Sequence, residues 1–290
     1  MLLVLLLLAV PARLLSVTTL QRLARRVVPM LGDSVRAKSS TDAIEFAMQV
    51  PPEDACVIAD ASLAARVTSL LLFLKGKLGG EPYQVVVAGQ QHIDTAIQSG
   101  TGVVLWVAES TFGPDACKIG LHNSGYAVSH LSRPEHGFSS TRFGIKVLNP
   151  LRTRFELRYL KERIVFERDN REQAMQQIAS RLGNAGIVSF LATGHEGKSL
   201  IEEDFLAGKL KIAGGAPASA FKHGAVLLPV FAVPNSEIPA MQVNIGEPLD
   251  LSGDEKATAV VRATRAYLKH LESHVKTHPE LWLQWKFITQ

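Results

Sequence analysis

The chain is poor in cysteine and in aromatic residues, and its leading apolar run is too short to cross a bilayer. Two cysteines, Cys56 and Cys117, in 290 residues exclude a disulfide scaffold and a cysteine-built zinc site. Aromatics at 7% fit poorly with a base-stacking nucleic-acid surface. The N-terminal apolar run, Met1–Val10, is broken by Pro11 and Arg13. It falls short of the roughly 20 residues a spanning helix needs. A G-x-S-x-G nucleophile elbow, a P-loop and a G-x-G-x-x-G after a strand are all missing. No internal repeat or low-complexity tract is visible.

What is present is a core. Hydrophobic residues make up 47% and charged residues 20%, which excludes disorder as the main state, because that much apolar surface collapses. The length suits one large domain or two small ones. The net charge of +4 is concentrated at the start. Arg13, Arg22, Arg25, Arg26, Arg36 and Lys38 face a single acid there, Asp33, and the rest of the chain is close to balanced. A basic body of the DNA-binding kind is therefore absent.

The leader is read as a membrane-associating helix, residues 1–31, ahead of an α/β domain over residues 32–290. No Lys or Arg precedes the leucines, as a signal peptide would require. From Leu14 to Leu31, one helical face carries Leu20, Leu23, Val27 and Met30, and another carries Arg22, Arg25 and Arg26. Such a basic amphipathic helix suits anionic headgroups, each arginine adding about 1 kcal/mol near the surface. The positive-inside bias places that face in the cytoplasm. A cleaved signal and a buried core helix are the alternatives.

After two helices, Thr41–Gln49 and Asp60–Lys75, and a turn over Lys75–Pro82, strand and helix signals alternate. Strands are expected at Val85–Ala88, Gly102–Ala108, Tyr126–Leu131, Ile164–Glu167, Ile187–Ala192, Ala225–Val233 and Met241–Ile245. Helices are expected at Gln91–Ser99, Pro114–Ser124, Arg171–Leu182 and Lys256–Lys276. Continuous apolar strands between helices predict an α/β fold, a mostly parallel central sheet flanked by helices. Ligands in such sheets sit beyond the carboxyl ends of the strands. The ends of interest read Ala108-Glu109-Ser110-Thr111-Phe112-Gly113-Pro114-Asp115 and Ala192-Thr193-Gly194-His195-Glu196-Gly197-Lys198. Polar groups at the mouth of an apolar strand imply a cleft. Ordinary helix-start chemistry explains the first of them equally well, with Pro114 in the first turn and Ser110 or Thr111 near the N-cap. His270, His274 and His278 recur every four residues without a further ligand type, which reads as a solvated helix face rather than a metal site. His122, His130 and His136 each read as structural.

Six segments, in order, carry a resemblance: LLVLLLLAVPARLLSVTTLQRLARRV, GQQHIDTAIQSGTGVVLWVA, SGYAVSHLSRP, LNPLRTRFELRYLKERIV, KIAGGAPASAFKHGAVLLPVFAV and HPELWLQWKF. Together they resemble the lipid A biosynthesis (lauroyl/myristoyl) acyltransferase family of the lysophospholipid acyltransferase superfamily, over nearly the whole chain. The resemblance implies transfer of a fatty-acyl group from an acyl carrier protein or coenzyme A thioester to a membrane lipid or glycolipid. It implies a direct ternary-complex mechanism at the cytoplasmic face of the inner membrane. It implies no bound cofactor, no metal and no nucleic-acid partner.

The family uses a His-x4-Asp/Glu motif, in which the histidine is the general base and the carboxylate orients it. Counted from Gly125-Tyr126, the histidine position falls on Ser110 and the carboxylate on Asp115. The later Asp-Gln or Asp-His pair falls on Gly194-His195. A serine is no base at neutral pH, and loss of a general base costs about 10²–10⁴ in rate. Three outcomes stay open: acyl transfer with Glu109 or a remote histidine (His195, His122) as base and Arg133 and Arg158 facing substrate phosphates or carboxylates; lipid or acyl-chain binding without turnover, as an accessory subunit; or an amine acceptor that demands less of a base.

Overall fold

A computed structural model describes residues 14–30, 38–77, 84–134, 145–146, 149–167, 169–193, 199–235, 240–253 and 255–289. The elements follow in order: α1 (Val17–Met30), α2 (Lys38–Met48), α3 (Pro52–Lys77), β1 (Gln84–Ala88), α4 (Gln90–Gln98), β2 (Val103–Ala108), α5 (Gly113–Asn123), β3 (Val128–Ser132), α6 (Asn149–Glu156), β4 (Glu162–Val165), α7 (Arg171–Gly183), β5 (Ile187–Ala192), β6 (Leu200–Phe205), β7 (Gly208–Ala213), α8 (Gly215–Lys222), β8 (Val226–Pro234), β9 (Ala240–Ile245), α9 (Lys256–Thr277) and β10 (Ile288–Thr289).

Seven strands form the central sheet in the order β1-β9-β8-β2-β5-β3-β4. The β8–β9 pair is antiparallel and the other neighbours are parallel. The sheet is thus mostly parallel, with β1 and β9 reversed at one edge. Every residue of β2 is buried, because helices cover both faces of this central strand, which is why it reads as an unbroken apolar run. Val104, Trp106 and Ala108 face one core with Tyr267 and Leu271 of α9. Val103, Leu105 and Val107 face the other with Ile93 of α4 and Ile119 of α5. Gly120 lets α5 approach β1, since a Cβ there would stand 2.6 Å from Val85 Cγ1.

Most element boundaries fall within two or three residues of those expected. Helix α3 starts earlier, at Pro52, followed by Glu53 and Asp54 in its first turn, the residue types that favour a helix N-terminus. It runs on through Lys77, so Lys75–Lys77 are helical where a turn was expected, and the rest of that turn, residues 78–82, lies outside the described ones. A small antiparallel sheet, β10-β7-β6, was not anticipated. It is stitched by cross-strand charges, Glu202 to Lys211 at 3.2 Å and Asp204 to Lys209 at 3.9 Å.

The first part of the leader, residues 1–13, lies outside the described residues. The rest forms α1, and of its expected apolar face Leu20 is turned into the fold while Leu23 and Val27 are left outside. Leu20, Ala24 and Val28 are buried, with Ala24 and Val28 against Ala64, Leu63 and Val67 of α3. Leu23 and Val27 are exposed, as are Arg22, Arg25 and Arg26. Burial selects the i, i+4, i+8 stripe because small side chains let α1 lie close to α3. Among the described residues, one helix is long and apolar enough to cross a membrane, Pro52–Gly76 at mean hydropathy 1.8, with 33% of that window buried in the fold.

Candidate functional site

The carboxyl ends of β2, β3, β5 and β8 share one edge of the sheet, and two neighbourhoods form there. The first follows β2. Ser110 is buried, and its Oγ accepts a hydrogen bond from the Gly113 amide at 3.2 Å. A Cβ on Gly113 would stand 2.5 Å from that Oγ, so a residue without a side chain is required where the chain turns into α5. Pro114 then occupies the first turn, where its missing N–H costs nothing. The helix-start reading of this stretch is the geometry found.

Asp115 lies in the first turn of α5. Arg152 of α6 holds it in a fork: Nη1 donates to Oδ2 at 2.7 Å and Nη2 donates to Oδ1. Arg152 Nε also meets Glu156 Oε1 at 2.9 Å, and Lys118 Nζ lies 3.2 Å from the same oxygen. The Lys118–Glu156 contact has ion-pair distance without hydrogen-bond alignment, and Lys118 Nζ is buried. Side-chain exposure is 14% for Arg152 and 15% for Asp115, against 4% for Lys118 and 0% for Glu156. A charge so enclosed is tolerated only when it is matched.

Arg163 of β4 extends the polar layer. Its Nη2 donates to Ser132 Oγ at 2.6 Å and to the Arg133 carbonyl at 2.9 Å. Burial lowers its pKa, and Glu156 opposes that shift. In register with Arg163 is His130, whose Nδ1 lies 2.8 Å from Ser189 Oγ on β5. Both are buried. Cys117 is equally enclosed; desolvation pushes its thiol up to about 12, away from nucleophilic use.

Glu109 is half-buried at the mouth of β2. Its Oε2 accepts from Gln284 Nε2 at 2.6 Å, and the same nitrogen donates to the Ala192 carbonyl at 3.0 Å. The C-terminal segment thus straps the ends of β2 and β5. Thr111 N–H donates to the Leu281 carbonyl at 2.9 Å, and Ser110 pairs with Trp282 in an antiparallel bridge. On the far side of this loop, the Tyr267 hydroxyl is pushed well above its usual pKa, by burial first and by the Glu109 charge second.

The remaining expected residues are dispersed. Arg133 is exposed at the end of β3, and Arg158 is exposed after α6 with its Nη1 3.5 Å from the Gly76 carbonyl. His195 lies outside the described residues. His122 is exposed and packs edge-on against Tyr159, with ring centroids 5.6 Å apart. The histidine series on α9 is not a uniformly solvated face: His270 is exposed, whereas His274 packs on Phe231 at 5.1 Å. No group of His, Cys, Asp or Glu among the described residues could hold a metal ion.

The second neighbourhood is a cleft of about 630 Å³ between α1, α3 and the sheet edge. Its walls are largely apolar: Val17, Ala61, Ala64, Leu72, Phe112 and Met241 among others, with Gln21, Arg25 and Asp60 toward α1 and α3. Phe112, between Ser110 and Asp115 in sequence, lines the cleft, whereas neither of those two does.

No family model matches the chain, and no curated protein matches it. Among solved structures, the 1-acyl-sn-glycerophosphate (LPA) acyltransferase PlsC from Thermotoga maritima is similar at 14% identity and a TM-score of 0.37, covering 88% of this chain and 97% of that one. At that level of likeness, the site rests on this chain's own residues.

Proposed function

We propose that this protein holds the fatty-acyl chain of a lipid at a membrane surface, in the cleft between α1 and α3, and does not transfer it through the Ser110/Asp115 position. The cleft carries this reading. Its volume of about 630 Å³ lies within the range of small-molecule sites, and its apolar stretch, Val17, Ala61, Ala64, Leu72, Phe112 and Met241, suits an alkyl chain, with Gln21, Arg25, Asp60, Thr68, Asn235 and Glu280 as the polar part of the lining. Its outer wall, α1, is the arginine-edged helix, which brings the opening to an anionic headgroup layer. At the motif position, Ser110 Oγ is committed to the Gly113 amide and both Asp115 oxygens are committed to Arg152. Neither is set to take a proton from an acceptor hydroxyl. The fold is of the acyltransferase type in this reading, with lipid or glycolipid of the cytoplasmic leaflet of the inner membrane as the ligand.

Acyl transfer is the second reading, and Glu109 favours it. It is a half-exposed carboxylate at the mouth of the central strand, anchored through one oxygen by Gln284. As a base it would serve an amine or hydroxyl acceptor, with acyl carrier protein or coenzyme A as the thioester carrier.

Both readings are tested with the purified full chain. Binding of a fluorescent fatty acid should saturate, and Ala61→Phe, which fills the cleft, should weaken it at least tenfold. Labelled acyl thioesters offered with membrane lipids should give background transfer. Absence of saturable binding sinks the first reading. Turnover abolished by Glu109→Gln establishes the second.

A further inference from the structure

Helix α6 and the turn after it, Asn149-Pro-Leu-Arg-Thr-Arg-Phe-Glu-Leu-Arg-Tyr-Leu-Lys161, contain one acid, Glu156. That carboxylate is fully buried against Arg152 and Lys118. The opposite side carries Leu151, Arg154, Leu157, Arg158 and Lys161, all exposed, with Leu151 at 41% and Leu157 at 46%. A spacing of three puts Leu151 and Arg154 on one side of α6, and the turn that follows it adds Leu157, Arg158 and Lys161. The result is apolar side chains interleaved with cations and no acid, the composition of an element that lies in a headgroup layer.

Its neighbours continue the same surface. Phe155 packs on Phe73 of α3 with centroids 5.1 Å apart, and Arg158 Nη1 reaches the Gly76 carbonyl at 3.5 Å. One residue earlier, Lys75 Nζ donates to the Leu15 carbonyl at 3.0 Å. The chain entering α1, where Leu14 is 77% exposed, therefore adjoins the end of α3 that α6 packs against. We propose that the outer face of α6 is a second membrane contact, resting on an anionic bilayer beside the N-terminal helix. It rests on the reading that the protein works at a membrane surface, and it adds a named lipid-facing element inside the folded domain.

The test is a fluorophore at Leu151→Cys in the full chain, with Cys56→Ser and Cys117→Ala removing the native thiols, and the same fluorophore at Leu200→Cys, also exposed, as a control on β6. Phosphatidylglycerol vesicles should shift the emission at 151 to the blue and leave that at 200 unchanged; phosphatidylcholine vesicles should shift neither. Arg154→Glu/Lys161→Glu should weaken binding to phosphatidylglycerol vesicles about 30-fold, each surface cation contributing roughly fivefold. An unmoved label at 151 while the chain sediments with the vesicles overturns the proposal, as does unchanged binding of the charge-reversed variant. Fatty-acid binding in lipid-free solution reads the cleft separately, so its loss with the 151 shift intact sinks the cleft reading alone.

Discussion

Arg152 closes its guanidinium fork on both carboxylate oxygens of Asp115, Nη1 on Oδ2 at 2.7 Å and Nη2 on Oδ1. The Asp115 carboxylate thus has a partner of its own, supplied by another helix. Arg152 turns its Nε to Glu156 one helical turn later, so α5 and α6 are joined by alternating charges rather than by apolar contact alone. The Arg152 guanidinium also lies over the Phe73 ring, 5.6 Å from its centroid, which extends the link to α3.

The inner member of this network should matter most. Glu156→Ala leaves Lys118 and Arg152 without their shared anion in a nearly dry interior, and is expected to destabilise the fold by about 3–5 kcal/mol. Asp115→Ala removes a partner that is partly solvated, and should cost about 1–2 kcal/mol. Urea unfolding of both variants checks the order. A larger loss for Asp115→Ala would mean that the fork, and not the buried glutamate, anchors the helices.

A histidine placed at Ser110, the position the resemblance gives to a general base, should not bring that chemistry with it. Ser110 is 2% exposed and fills the space beside Gly113, so Ser110→His overpacks the turn and should cost about 1–3 kcal/mol. With Asp115 held by Arg152, the introduced ring has no orienting carboxylate. Thioester cleavage by Ser110→His is expected to stay at the wild-type level, followed as release of free thiol. A gain of tenfold or more would show that Asp115 can leave Arg152.

The parts legible in the sequence are those decided locally. The run Val103–Ala108 announces a strand covered on both faces, and Pro114 announces the start of α5. Asp115 could be found by counting from Gly125-Tyr126, but Arg152 stands 37 residues away, and its pairing depends on how α6 packs. One signal was present: Arg152 and Glu156 are four apart, the spacing of an intrahelical ion pair. The β6–β7 hairpin was hidden for a different reason. Its turn runs through Leu206, at φ +53°, where Gly or Asn would normally mark such a turn. The alternation of Glu202 and Asp204 against Lys209 and Lys211 was the available clue. The stripe by which α1 packs on α3 is hard to read because Ala24 looks too small to anchor a helix.

Gln284 joins the C-terminal segment to two strand ends through one nitrogen. Gln284→Leu keeps the volume and removes both bonds, leaving the Ala192 carbonyl and the Glu109 carboxylate without that donor. A hydrogen bond to a charged group is worth roughly 1.5–3 kcal/mol, and a loss of that size is expected in urea unfolding. Native-state hydrogen exchange should locate the change at Thr111, whose amide bonds to Leu281. If the Thr111 amide keeps its protection in Gln284→Leu, the segment is held by Trp282 and Trp285 packing instead.

Stability should also fall on mild acidification, through His274. Burial lowers its pKa from 6.5 to about 4, and the neighbouring His278 adds to the shift. The folded state therefore holds the imidazole neutral between those values, while the unfolded chain takes up a proton. The contribution is complete above pH 6.5 and drains away as pH falls toward 4, about 3 kcal/mol in all. The carboxylate Glu162, whose pKa is lowered chiefly by its hydrogen bond from Arg181, has the same sign, but its share is lost only as pH falls below about 4.5. The two windows separate the groups. His274→Phe, which keeps a ring against Phe231, should flatten the stability–pH curve between 6.5 and 4.5 and leave the steeper loss below it. A curve unchanged by that substitution would mean that the ring is solvated in the native state and carries no penalty for its charge.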